Sequence, residues 1–186
     1  MRVISGTARG TKLETIEDIS TRPTLDRVKE SLFNIVSFRI QESRVLDIFA
    51  GSGAIGIEFL SRGCKHAVFC DQSVEAAKII NRNLDKTHLK QNAKILNMDY
   101  KNCLINLSKT KEKFDMIFID PPYKANLAAD AVKQIIELKL LEKDGIIIIE
   151  TDEQNRDTYE LSKLNIEIYD NRKYGRVNLI FLVERG

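Results

Sequence analysis

A glycine loop flanked by acids carries the first chemical signal in the chain. Asp47-Ile48-Phe49-Ala50-Gly51-Ser52-Gly53-Ala54-Ile55-Gly56 closes one apolar run and opens an amphipathic one. Glycines 51, 53 and 56 match the G-x-G-x-x-G spacing, which lets a backbone turn tightly and a nucleotide approach it. Asp71, followed by Gln72, ends the next apolar run, where a carboxylate can accept both hydroxyls of a ribose. Asn97-Met98-Asp99-Tyr100 ends the third run and places Asp99 for an adenine amino group. That much serves NAD as well as S-adenosylmethionine. Asp47 tilts the balance: a carboxylate inside the turn repels a pyrophosphate and suits the ammonium of a methionine moiety. A plain tight turn is the bland alternative for Gly51 and Gly53. Three acids at the carboxyl ends of three successive strands, where ligands bind in such sheets, argue against it. The expected cofactor is therefore S-adenosylmethionine, held by Asp47, Phe49, Ala50, Gly51, Ser52, Gly53, Asp71, Gln72, Asp99 and Tyr100.

The second signal is Asp120-Pro121-Pro122-Tyr123, directly after the buried run Phe114–Ile119. Two prolines stiffen the loop and remove backbone donors, leaving carbonyls as acceptors. An exocyclic amine on a base is a poor nucleophile because its lone pair is delocalised into the ring. Hydrogen bonds from its two N–H groups to the Asp120 carboxylate and the Pro121 carbonyl would pull it toward a tetrahedral shape. Tyr123 would stack on a flipped-out base. The bland alternative is a loop with Tyr123 as a core aromatic. Asp120, Pro121, Pro122 and Tyr123 are the expected catalytic residues, because the tetrapeptide falls at the end of a fourth strand after a cofactor loop on the first.

These residues need a parallel sheet to gather them. Val45–Phe49, Ala67–Cys70, Ala93–Leu96, Met116–Ile119 and Ile146–Ile149 are short apolar runs suited to strands buried on both faces. Helical patterns lie between them at roughly 54–62, 73–87, 100–108 and 126–141. Strict alternation implies right-handed βαβ units with helices on both faces of the sheet. Ile166–Tyr169 and Asn178–Val183 are strand-like with no room for a helix between them, so they form an antiparallel hairpin. Residues 1–14 suggest a small hairpin. Thr24 can cap a helix whose face carries Leu25, Val28, Leu32, Ile35 and Val36. One α/β domain over 1–186 is expected, with 1–40 as a substrate-side extension and 41–186 as the catalytic core.

At 186 residues, 43% hydrophobic and 30% charged, the composition is that of a soluble globular domain. No apolar run approaches a membrane span, and the first residues lack a signal-peptide core, so cytoplasmic residence is expected. Cys64, Cys70 and Cys103 are scattered, and His66 and His88 sit near no acidic cluster, so no metal is expected. The formal net charge is +2, which does not announce a nucleic-acid partner. Both ends are nevertheless mildly basic.

Taken together, the motifs resemble a known family. Asp47 to Gly53, Asp71, Asp99 and Asp120-Pro121-Pro122-Tyr123 resemble motifs I to IV of class I methyltransferases. More narrowly, Gly6-Thr7-Ala8-Arg9-Gly10, the stretch Thr21-Arg22-Pro23-Thr24-Leu25-Asp26-Arg27-Val28-Lys29-Glu30 and Lys173-Tyr174-Gly175 resemble the bacterial RsmD-type 16S ribosomal RNA guanine-N2 methyltransferases. The resemblance implies a Rossmann-like seven-stranded sheet that is mostly parallel and ends in an antiparallel hairpin. It implies a guanine of 16S rRNA as substrate, presented on a partly or fully assembled small subunit. It also makes Arg9, Arg22, Arg27, Lys173 and Arg176 candidate RNA contacts. N6-adenine methylation, glutamine methylation of a protein, and a non-catalytic nucleotide-binding module are the competing readings.

Overall fold

The apolar runs become the middle of one twisted sheet. A computed structural model describes residues 1–16, 23–122 and 127–185, with side chains left aside at 23–26. Seven strands, β1 (Arg44–Ile48), β2 (His66–Asp71), β3 (Ala93–Asn97), β4 (Phe114–Ile119), β5 (Leu141–Thr151), β6 (Ile166–Tyr174) and β7 (Val177–Glu184), lie in the order β3-β2-β1-β4-β5-β7-β6. The first five are parallel. β7 runs antiparallel between β5 and β6. Strand order reverses at β1, so the crevice between β1 and β4 is the switch point of the sheet.

Helices α1 (Pro23–Val36), α2 (Ala54–Ser61) and α3 (Val74–Thr87) cover one face. Helices α4 (Tyr100–Lys109), α5 (Leu127–Glu137) and α6 (Gln154–Leu161) cover the other. β1, β4 and β5 alternate their side chains between these two cores, which is why their sequences are continuously apolar. The N-terminal hairpin is present: Val3 N–H donates to Thr11 O at 3.0 Å and Gly10 N–H to Val3 O at 2.9 Å. It is tied to α2 at Ser61, whose Oγ accepts from Ala8 N–H and donates to Ser5 O, and by a buried acid. Glu58 is fully buried and accepts from Ile4 N–H at 2.8 Å and Ser5 N–H at 2.9 Å. It also pairs with Lys29 Nζ of α1 at 2.9 Å and Arg62 Nε at 2.8 Å.

Several sequence boundaries move. α1 opens at Pro23, whose fixed φ and missing N–H suit a first helical turn. α5 stops at Glu137 instead of running to 141, because Lys139 turns left-handed at φ 54° and Leu141 already belongs to β5. α6 was not anticipated; only Asp157 and Leu161 of it are buried, so its apolar periodicity is faint. In the terminal hairpin, Arg172, Lys173 and Tyr174 extend β6, leaving a two-residue turn at Gly175-Arg176.

Candidate active site

The glycine loop is held from both sides by acids. After β1, Phe49, Gly51 and Gly53 take left-handed φ values of 63°, 56° and 76°. Glycine adopts these freely, whereas Phe49 does so at a cost, a form of strain that clusters at ligand sites. Gly51 N–H donates to Asp71 Oδ2 at 2.8 Å, and Gly56 N–H to Asp47 Oδ2 at 2.9 Å. Gly56 is required for a different reason: a Cβ there would lie 2.3 Å from Phe69 Cε1 of β2. From outside, Asn83 Nδ2 of α3 donates to Ser52 O at 2.9 Å and to Glu14 O at 3.0 Å, joining loop and extension.

A cavity of about 470 Å³ opens over this loop at the carboxyl ends of the strands. Phe49, Ala50, Gly51 and Ser52 line it, with Asp47, Asp71, Gln72, Asp99 and Tyr100 around them. Asp120, Pro121 and Pro122 line the same cavity, so the two sequence signals meet in one place. Gly53 lies just outside the lining and caps α2. Asp99 serves α4 as its N-cap, accepting Lys101 and Asn102 N–H at 3.1 Å each. The Asn102 N–H leads the interactions that hold its carboxyl below the usual range. The Tyr100 ring stands 5.2 Å from that of Phe49, and its hydroxyl donates to Asp130 Oδ2 at 2.6 Å.

The cavity floor is unusually hard on negative charge. Burial pushes the Asp47 carboxyl up to about 7 against the Gly56 N–H, and Asp71 adds to the rise. Asp120 opens onto the cavity, yet the surrounding protein desolvates it and Glu150, Asp47 and Asp152 repel its charge. Its pKa is raised well above the ordinary value. Burial also lifts Glu150 to about 7. Such displaced carboxyls in a cavity mark a functional site on physical grounds. Asp47 also suits S-adenosylmethionine chemically, since the cofactor's ammonium charge would restore its ionised form.

Some site residues escaped the sequence reading. Glu150, one residue before the end of β5, lines the cavity, as do Met98 and, from the extension, Met1, Val28, Lys29 and Leu32. The strand-end rule that singled out Asp71 would have found Glu150, had the run Ile146–Ile149 been read one residue further. Arg27 is exposed on α1, next to the cavity-lining Val28. Lys173 and Arg176 are exposed at the β6–β7 turn. That turn lies at the carboxyl edge of β5, because Lys173 pairs with Asn178 and Asn178 with Thr151. Arg9 is exposed but stands apart: Ala8 N–H bonds Ser61 Oγ, at the end of α2 remote from the glycine loop. Tyr123 and Arg22 lie outside the described residues.

Known proteins resemble this chain in sequence and in fold. A family model described as conserved hypothetical protein 95 matches residues 1–183. The putative rRNA methyltransferase YlbH of Bacillus subtilis is 38% identical, over 100% of both chains. The ribosomal RNA small subunit methyltransferase D of Haemophilus influenzae is 36% identical over 82% of this chain and 79% of its own. The chain belongs to this RsmD family. The fold agrees: the putative methyltransferase yhhF of Escherichia coli, 25% identical, superposes with a TM-score of 0.81 over 100% of this chain and 98% of that one. The class I methyltransferase fold, with its seven-stranded sheet and terminal hairpin, is thus confirmed, and the family's cofactor is S-adenosylmethionine.

Proposed function

We propose that this chain transfers the methyl group of S-adenosylmethionine to the exocyclic N2 amine of a guanine in 16S ribosomal RNA, presented on the small ribosomal subunit. The observation that carries the reading is the convergence of Asp120-Pro121 and the acid-flanked glycine loop on one cavity. The relatives named as small-subunit rRNA methyltransferases support the choice of RNA.

The cofactor, when bound, supplies an electrophilic sulfonium methyl. Asp47 would take its ammonium, Asp71 its ribose hydroxyls and Asp99 its adenine amine. Asp120 and the Pro121 carbonyl accept the two N–H groups of the target amine and aim its lone pair at the methyl carbon. Attack by that lone pair would form the C–N bond, the C–S electron pair leaving with the thioether product. The alkylated nitrogen is strongly acidic, and its proton passes to the Asp120 carboxylate. Holding both reactants in line supplies most of the rate. Lys173, Arg176 and Arg27 sit where RNA phosphates would pass the cavity rim.

The test is chemical. Incubate the protein with labelled S-adenosylmethionine and undermodified small subunits, digest the RNA and identify the nucleoside. N2-methylguanosine is expected. N6-methyladenosine, or label confined to protein, would replace this reading.

A further inference from the structure

Asp120 has a neighbour that the transfer chemistry above does not use. β4 and β5 run parallel with Phe118 opposite Ile148 and Ile119 opposite Ile149. One residue further lie Asp120, just past the end of β4, and Glu150 of β5, beyond strands about 4.8 Å apart. Both continue the face that carries Met116, Phe118, Ile146 and Ile148, beneath α1, and both line the cavity. Glu150 is also fixed from the other side, paired with Leu179 of β7. The residue after it is locked as well: Thr151 Oγ1 donates to Asp157 Oδ2 at 2.5 Å and accepts from Glu153 N–H at 3.0 Å. Among the described residues, no hydrogen bond or ion pair reaches the Glu150 carboxylate. An acceptor held this rigidly, facing a cavity and lacking a donor, is built to receive one from a ligand.

We propose that Glu150 is a specificity-determining residue that accepts the N1–H of the target guanine while Asp120 and the Pro121 carbonyl hold its N2 amine. This rests on the guanine-N2 reading above. The edge of guanine presents three N–H donors in a row, two on N2 and one on N1. The site presents acceptors in matching number: the Pro121 carbonyl, Asp120 and Glu150. Adenine and cytosine also carry an exocyclic amine, but the ring nitrogen beside it is an acceptor. With the amine seated on Asp120, that lone pair would face the Glu150 carboxylate, and two acceptors would meet without a proton. Rejection of this kind, by an unpaired buried polar group, is stronger than any a cavity wall provides. The N1–H also favours the ionised carboxylate, opposing the burial that raises Glu150.

The test uses 16S rRNA ligated to carry guanosine or 2-aminopurine riboside at the methylated position and reconstituted into subunits. 2-Aminopurine keeps the N2 amine but has a bare N1. Wild-type protein should prefer guanosine by roughly ten- to hundredfold in kcat/KM, the scale of one hydrogen bond to a charged group. Glu150→Gln can turn its amide N–H toward a bare N1, so the preference should shrink about tenfold or invert. Glu150→Ala offers neither donor nor acceptor and should bring the ratio toward one. Calorimetry with S-adenosylmethionine should give wild-type affinity for both variants, which shows that they are folded. A wild-type enzyme that makes N2-methylguanosine yet accepts 2-aminopurine equally well overturns the role of Glu150 without any variant. So do folded variants that keep the wild-type ratio. A wild-type product other than N2-methylguanosine instead removes the reading on which the proposal rests.

Discussion

In the proposed reaction Asp120 carries the chemistry of the site, and its surroundings set what it can do. Glu150, Asp47 and Asp152 all oppose its charge, on top of desolvation. A base donating N–H groups relieves that opposition, so the carboxylate holds the target amine more strongly than it would hold water. Asp120→Ala should therefore lose turnover by at least a hundredfold while S-adenosylmethionine binding, measured by calorimetry, stays close to wild type. Asp120→Asn keeps one neutral acceptor and should fall between the two. Rates equal to wild type in Asp120→Ala would place the active site elsewhere. On the proposed reading Glu150 must be ionised to accept the N1–H, and burial lifts it to about 7, so activity should fall as pH drops through about 7. At this scale the sequence was highly legible for groups that carry a motif. Asp47, Asp71, Asp99 and Asp120 announce themselves by strand-end position. Glu150 obeys the same rule but belongs to no motif, and Lys29 enters the site only through the packing of α1.

Elements position these residues through a few buried polar ties. Glu58, buried on α2, gathers the hairpin, α1 and Arg62 around one charge. Burial raises its pKa, but Lys29, the Ile4 N–H and Arg62 outweigh burial, so the folded value lies below the ordinary 4.5. A depressed carboxyl contributes stability that is present above the unfolded value and lost as pH falls through the folded one. Glu58→Gln removes the charge that Lys29 and Arg62 both meet and should cost about 1–3 kcal/mol near neutrality. Urea titrations at pH 7 and at pH 3 would check this: the gap between variant and wild type should narrow in acid. A gap that stayed constant with pH would mean that the tie is packing alone. Such ties are where sequence reading runs out. Apolar periodicity located the strands and most helices, but it does not show that an acid on α2 reaches across to residues 4 and 5. For the same reason α6, held by Leu161 and a buried Asp157 rather than an apolar stripe, left little trace.

At the scale of the whole molecule, the candidate RNA-contacting cations among the described residues fall into two groups that a single charge count merges. Lys173 and Arg176 crown the β6–β7 turn at the carboxyl edge of the sheet, the edge where the cavity opens. Arg9 sits at the hairpin tip, against the far end of α2. α2 has eight residues, so the tip is displaced from the glycine loop by about 12 Å along that helix. A phosphate next to a flipped nucleotide would pass the first group. Only RNA extending around the extension would reach Arg9. The two groups should therefore separate by substrate size. On a short RNA hairpin carrying the target, Lys173→Ala and Arg176→Ala should each weaken binding and flatten the log–log salt dependence by up to about 0.7–0.9 of a unit, the counterion release of one phosphate contact. Arg9→Ala should leave both quantities unchanged on that hairpin and lower both on the assembled small subunit, whose RNA surface is broad enough to touch both ends of α2. S-adenosylmethionine affinity should not move in any of the three variants. An Arg9→Ala effect of equal size on hairpin and subunit would mean that the RNA binds across the extension rather than over the strand ends. An effect on neither would make Arg9 a solvated surface residue.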